Sequence, residues 1–126
     1  ALHAIVAGVA TAGHVWPVWA RFHGGRGVAT GLGVASALEP LAGLMAIAIF
    51  APVVVLTRYV SLGSLCSVVG VTFFFGITFA LGREPLSYFL FSIASGALIV
   101  VMHRDNVKRL TTRTERRLGE QTASRE

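Results

Sequence analysis

The chain of 126 residues is 54% hydrophobic, only 13% charged, and carries a formal net charge of +5. Soluble domains of this size carry about a quarter charged residues. Here the shortfall is gathered into long runs, which excludes an ordinary soluble globule. The lone cysteine, Cys66, excludes an intrachain disulfide and reads as a small packing residue.

Ala1 to Ala20, Pro40 to Thr57, Tyr59 to Gly82 and Pro85 to Met102 contain no Asp, Glu, Lys or Arg. A membrane-crossing helix needs roughly 20 apolar residues to span about 30 Å of hydrocarbon. The expected fold class is therefore all-α, a polytopic membrane helix bundle. In chain order, the first helix occupies Ala1–Ala20. It is preceded by no basic segment, so it is not expected to be a cleavable leader. With no starting methionine, the chain is expected to lack an N-terminal part.

After the Arg21–Gly31 loop, a single helix over Val34–Thr57 would give four crossings and bury Glu39 at about 2.5–3.5 kcal/mol. Proline disfavours helix in the residue before it, so Glu39–Pro40 marks a break. This leaves a short helix from Gly27 to Leu38, rising only about 18 Å and lying among its neighbours. A full helix from Pro40 to Thr57 follows, with proline well placed in its first turn. Val60–Leu81 and Leu86–His103 complete about five helices, one of them short.

With five helices, Arg21, Arg26, Arg58 and seven tail residues fall on one face, ten of the eleven basic residues. Arg83, beside Glu84, falls on the other face with Glu39. This asymmetry follows the positive-inside pattern, so a multi-pass protein of the cell membrane with a cytoplasmic C-terminus is expected. The basic tail lacks base-stacking aromatics, which argues against a nucleic-acid partner. Residues 1–119 are expected to form the membrane domain and 120–126 a disordered cytoplasmic tail.

Two segments carry candidate chemistry. Gly24, Gly25 and Gly27 permit close backbone approach, and Arg26 adds a permanent charge. The helix starting near Gly27 aims free N–H groups at whatever the loop holds, an arrangement suited to phosphate. A flexible turn with a snorkelling arginine has the same sequence. Farther on, helical spacing past His103 puts His103, Asn106 and Leu110 on one face. At the membrane interface such a histidine could bond a substrate phosphate or move a proton. A solvated helix end with favourable basic residues is the alternative.

Several chemistries lack their residues. Asp105 is the only aspartate, so no Asp-rich metal site exists. No histidine has an acid five positions later, as many acyltransferases require, and no G-x-S-x-G elbow occurs. His3, His14 and His23 lack partners at ligand spacing, so neither metal nor cofactor is expected.

Three stretches together resemble the bacterial acyl-phosphate:glycerol-3-phosphate acyltransferase family. The first is Gly13-His14 with Pro17 and Phe22-His23-Gly24-Gly25-Arg26-Gly27-Val28-Ala29-Thr30. The second is Arg58-Tyr59-Val60-Ser61-Leu62-Gly63-Ser64. The third is His103, Asn106, Arg109 and Leu110 with Thr114-Glu115. The resemblance implies part of a seven-helix fold with its motifs at the cytoplasmic face. It also implies transfer of an acyl group from acyl phosphate to the 1-hydroxyl of glycerol 3-phosphate, giving lysophosphatidic acid in phospholipid synthesis.

Acyl phosphate is a mixed anhydride with a good leaving group, so positioning can replace a covalent nucleophile. By the motif match, Gly24, Gly25, Arg26, Gly27, Thr30, Ser61 and Arg109 bind substrate. His103 and Asn106 are the catalytic candidates, orienting phosphate and hydroxyl, and the phosphate itself accepts the proton. His14, Pro17 and Glu115 are structural members of the motifs, Glu115 by pairing with a basic residue. The partners implied are acyl phosphate, glycerol 3-phosphate and membrane lipid. The chain departs from the family in three places. The Ser-Gly-Asn-rich first motif is absent, Arg26 stands for the usual lysine, and Arg113 for a usual glycine. The alternative function is therefore a catalytically inactive membrane partner or fragment that keeps the fold and a phosphate-binding loop. A transporter is disfavoured by helix interiors without paired ionisable residues.

Overall fold

A computed structural model describes residues 2–15 and 26–120. Its elements, in chain order, are α1 (Leu2–Val15), α2 (Val28–Leu38), α3 (Pro40–Thr57), α4 (Val60–Ala80), α5 (Leu86–Met102) and α6 (Arg104–Thr111). All described regular structure is thus helical, as the charge-free runs required. The expected helix Ala1–Ala20 is followed as far as Val15. Pro17, Gly24 and Gly25 lie outside the described residues.

The break at Glu39 has a local cause. Glu39 is extended (φ −150°, ψ 107°), its carboxylate accepts the Leu41 N–H at 3.1 Å, and Pro40 opens α3. An acidic N-cap satisfies one of the donors that a helix start leaves orphaned. At the other end of α3, Arg58 takes a left-handed conformation (φ 62°), and the Thr57 hydroxyl accepts the Tyr59 N–H at 3.2 Å. The chain reverses there into α4.

α3 and α4, with 18 and 21 residues, are long and apolar enough to cross a membrane. α5 and α6 together reach that length but are bent by 60° at His103. The bend is a departure from the expected end of the last helix: the chain stays helical and turns. The Val107 N–H still bonds the His103 carbonyl at 2.9 Å, which carries the helix past the corner.

The packing is inverted relative to a soluble domain. Leu44, Val55, Leu56, Phe73, Ile77 and Leu90 face outward, while Thr11, Ser61, Ser64, Ser67 and Ser92 are buried. Lipid is as apolar as leucine, so helix contacts rely on close approach and interhelical hydrogen bonds. The Ser67 hydroxyl donates to the Ala46 carbonyl of α3 at 3.0 Å. Gly63 lets α3 draw close, since a Cβ there would lie 2.6 Å from Val54 Cγ2.

One end of the bundle is sealed by apolar packing. Ala35, Ala42 and Phe75 are buried there among Leu38, Val71, Phe74, Tyr88 and Phe89. The Phe75 ring meets Phe74 and Tyr88 edge-on, with centroids 5.6 and 6.2 Å away. Glu39 and Glu84 lie in the two turns at this end. Arg26, Arg58, His103 and the basic tail gather at the opposite end.

Candidate active site

The site begins with Gly27, whose left-handed conformation (φ 77°) starts α2. A Cβ there would be strained and would come within 3.1 Å of Val15 Cγ2, so the position demands glycine. The turn delivers Arg26 and the first residues of α2, Val28 and Ala29, to the mouth of a cavity of about 610 Å³. The first N–H groups of a helix have no partner within it and favour negative charge.

The cavity has one polar end, formed by Arg26, Ser61, His103, Asn106 and Glu115, with His14 at its edge. From there it runs between α2, α3, α4 and α5. Ser61, Ser64, Val68, Val71 and Phe75 line it from α4, and Phe91, Ser95, Gly96, Ile99 and His103 from α5. These positions recur at helical spacing, so each helix offers a single face along its length.

Glu115 organises the polar end. Its Oε1 accepts the Ser61 hydroxyl at 2.8 Å and the Asn106 Nδ2 at 2.7 Å, and its Oε2 takes the Arg109 Nε at 2.6 Å. Burial works to raise the Glu115 pKa. The bonds from Asn106, Ser61 and Arg109, with the arginine's charge, outweigh it and hold the carboxyl below its usual 4.5. The start of α4, 54 positions away, is thereby joined to α6 and the segment after it through one carboxylate.

The segment that carries Glu115 is strapped across the α3–α4 turn. Arg58 donates through Nε to the Leu118 carbonyl at 3.0 Å, and the Arg58 carbonyl accepts the Leu118 N–H at 2.7 Å. The Arg117 guanidinium stacks 5.4 Å above the Tyr59 ring. Arg113 turns the chain with φ 57°, a left-handed conformation at the position where the resemblance gave a usual glycine.

His103 and Asn106 are each only 2% exposed. The His103 Nδ1 lies 2.8 Å from the Ile99 carbonyl, which can only accept, so Nδ1 carries the proton. Nε2 of the neutral ring is then an acceptor. Burial lowers the His103 pKa below 6.5; the Ile99 bond raises it in part, and the Arg26 charge lowers it further. The ring, just past the end of α5, is neutral at pH 7. Asn106 is oriented by the same logic: a carboxylate can only accept, so its amide nitrogen faces Glu115. Its Oδ1 is left buried with no partner among the described residues.

The sequence-expected residues therefore divide. Arg26, Gly27, Ser61, His103, Asn106, Glu115 and His14 converge on the cavity. Thr30 is half-buried on α2 but does not line it, because Val28, Ala29, Gly31 and Leu32 occupy the inward positions. Arg109 also stands off the cavity; its guanidinium is committed to Glu115. Arg58 and Tyr59 open the second motif, but their fastening of the strap to Arg117 and Leu118 is a tertiary contact that the sequence did not single out. No group of three or more metal-ligating side chains occurs among the described residues.

A lipid-facing bundle with a buried polar cluster at the end of a long apolar cavity defines a class: integral membrane helix bundles with an amphiphilic cavity. The sequence profile of the glycerol-3-phosphate acyltransferase family matches residues 1–113, and the chain belongs to that family. It is 39% identical over 117 residues to glycerol-3-phosphate acyltransferase 3 of Dehalococcoides mccartyi strain CBDB1, covering 92% of this chain and 54% of that one. Glycerol-3-phosphate acyltransferase of Rubrobacter xylanophilus is 41% identical over 116 residues, covering 92% and 56%.

The fold is also similar to crystal structures of PlsY (YgiH), an integral membrane glycerol 3-phosphate acyltransferase. Its glycerol 3-phosphate form aligns at TM-score 0.78 and 38% identity, over 85% of this chain and 52% of that one. Its lysophosphatidic acid form aligns at TM-score 0.78 and 32% identity, over 93% and 67%. The chain spans little more than half the length of the curated relatives it matches.

Proposed function

We propose that this chain carries the acyl-transfer site of a glycerol-3-phosphate acyltransferase, with acyl phosphate as donor and lysophosphatidic acid as product. The observation that carries this function is the joining of a small polar chamber to a long apolar cavity, a shape that suits a single-chain phospholipid. In this assignment Arg26 and the start of α2 hold the glycerol phosphate. Gly24 and Gly25 belong to the same loop by the motif match.

His103 Nε2 and Asn106 Oδ1 are both acceptors, so they take hydrogen bonds from hydroxyls rather than from a phosphate dianion. The 1-hydroxyl oxygen attacks the acyl carbon, forming the ester bond as the bond from that carbon to the phosphate oxygen breaks. The hydroxyl proton leaves with the departing phosphate. Ser61 and Arg109 act through Glu115, which fixes the Asn106 amide that receives the hydroxyl. Among the described residues, Arg26, Arg58 and the basic residues from Arg104 to Arg117 share the polar end, which supports a cytoplasmic site and C-terminus in the cell membrane. Residues 1–119 then form the membrane domain, with 120–126 as its tail.

Kinetics in an active form of the protein tests this assignment. Arg26→Ala is expected to raise KM for glycerol 3-phosphate about ten- to a hundred-fold, the loss of a charge-assisted bond of about 1.5–3 kcal/mol. His103→Gln is expected to depress kcat, because orientation matters most in the transition state. The acid limb of the rate should lie below pH 6.5 and move upward in Arg26→Ala, since that charge helps keep His103 neutral. Unchanged constants in a folded Arg26→Ala protein would remove the phosphate assignment. Phosphate binding without turnover would favour the inactive-partner alternative.

A further inference from the structure

Measured from its polar end, the cavity has a definite length and a closed end. Along α4 it runs from Ser61 to Phe75, fourteen positions and therefore about 21 Å. Along α5 it runs from His103 back to Phe91, twelve positions and about 18 Å. Two antiparallel helices thus give nearly the same depth. Phe75 is fully buried at the far end and is backed by Tyr88 and Phe74.

The geometry points to Phe75 as the stop that sets acyl-chain length. This inference rests on the acyltransferase function proposed above. Carbon–carbon bonds of about 1.5 Å meeting at about 111° advance an extended chain by roughly 1.25 Å per carbon. A depth of about 18–21 Å therefore holds about 14–17 carbons below the reacting carbonyl. Myristoyl and palmitoyl chains fit in full, and an eicosanoyl chain does not. A waist lies partway down, at Gly96. A Cβ there would come within 3.2 Å of both Thr72 Oγ1 and Val68 Cγ1, so an alanine takes up room at that level and makes both neighbours give by a few tenths of an ångström. Gly96 lies seven positions from His103, about 10.5 Å or roughly eight carbons down.

Competition among dodecanoyl, palmitoyl, stearoyl and eicosanoyl phosphates in an active form of the protein tests the stop. Each methylene that finds room strengthens binding about fourfold. Use should therefore climb to palmitoyl and fall at eicosanoyl. Phe75→Ala should raise the eicosanoyl-to-palmitoyl ratio by at least about fourfold, the value of one added methylene. Gly96→Ala should shift use the other way, toward dodecanoyl. General damage to the fold would lower every chain length alike, so opposite shifts isolate the length effect.

Thermal stabilisation by single-chain alkyl phosphates of the same lengths measures the cavity without turnover. It keeps the stop testable if Phe75→Ala does not fold or if no acyl transfer occurs. Stabilisation peaking near sixteen carbons, with no activity on any donor, would retain the stop and discard the acyltransferase function. Use or stabilisation that keeps rising through eicosanoyl, or an unchanged length profile in folded Phe75→Ala and Gly96→Ala proteins, would overturn the stop.

Discussion

The two ends of the bundle both hold carboxylates partly shielded from water, and they treat them in opposite ways. At the polar end, Glu115 receives three donors from two helices, α4 and α6, and is held ionised, its pKa below 4.5 despite burial. At the sealed end, burial first and the neighbouring Glu39 carboxylate second raise the Glu84 pKa above 4.5. One carboxylate is a fixed structural charge. The other is a turn residue with a like-charged neighbour, and the only work shown for the pair is the cap that Glu39 places on α3. Burial alone therefore does not mark a functional acid; the supply of donors does.

The largest test removes the carboxylate that joins the polar end. Glu115→Ala strips partners from Ser61, from the buried Asn106 amide and from Arg109 in one step. A hydrogen bond to a charged group is worth about 1.5–3 kcal/mol, and orphaning a buried donor costs about 1–3 kcal/mol. Arg109 is 40% exposed and can turn to water, which reduces its share. A loss of roughly 3 kcal/mol is expected in denaturant unfolding in detergent. Glu115→Gln should recover part of it, because the amide oxygen still accepts from Asn106 or Arg109. Equal stability of wild type and Glu115→Ala would mean that the network contributes nothing.

How much of this was visible in the sequence depends on range. The Glu39–Pro40 break is local backbone sterics, and it lies where proline requires. The grouping of Arg26, Arg58 and the tail at one end, with Glu39 and Glu84 at the other, follows from helix count and charge. The resemblance supplied Ser61 in one motif and Asn106 with Glu115 in another. Their meeting is a tertiary fact, since Ser61 and Glu115 are 54 positions apart. Thr30 shows the limit of periodicity. Its helix is apolar on nearly every side, so sequence cannot say which face turns inward. The bend at His103 escaped for a similar reason: no proline or glycine marks it, and only packing sets the angle.

A middle-sized test concerns the strap that delivers Glu115. Arg113 adopts φ 57°, a conformation that costs a non-glycine residue about 1–2 kcal/mol. Glycine adopts it freely but loses more entropy on folding, by about 0.5–1 kcal/mol. Arg113→Gly should therefore stabilise the protein by up to about 1 kcal/mol, while Arg113→Val should destabilise it, since a β-branched residue fits the conformation worst. Thermal unfolding of the pair measures the difference. A destabilised Arg113→Gly would show that the arginine side chain supplies more than its backbone strain removes.

The smallest effect belongs to the sealed end and reverses the sign of the first. Glu115 has a folded pKa below its unfolded value, so the unfolded chain protonates first as pH falls. Its contribution is present above about pH 4.5 and lost on acidification through the folded pKa. Glu84 has a folded pKa above 4.5, so the folded state takes up the proton first. Its contribution is unfavourable at neutral pH, and that penalty is relieved as pH falls through the folded pKa toward 4.5. Glu84→Gln removes the charge permanently. It should stabilise the protein by a few tenths of a kcal/mol at pH 7, in the range of an exposed like-charge contact. The gain should vanish below pH 4.5, where Glu84 is protonated in the folded and the unfolded chain alike. Unfolding at both pH values compares the two states directly. A gain that persists at low pH would mean the benefit comes from the amide's own hydrogen bonds, and the Glu39–Glu84 repulsion would then be absent.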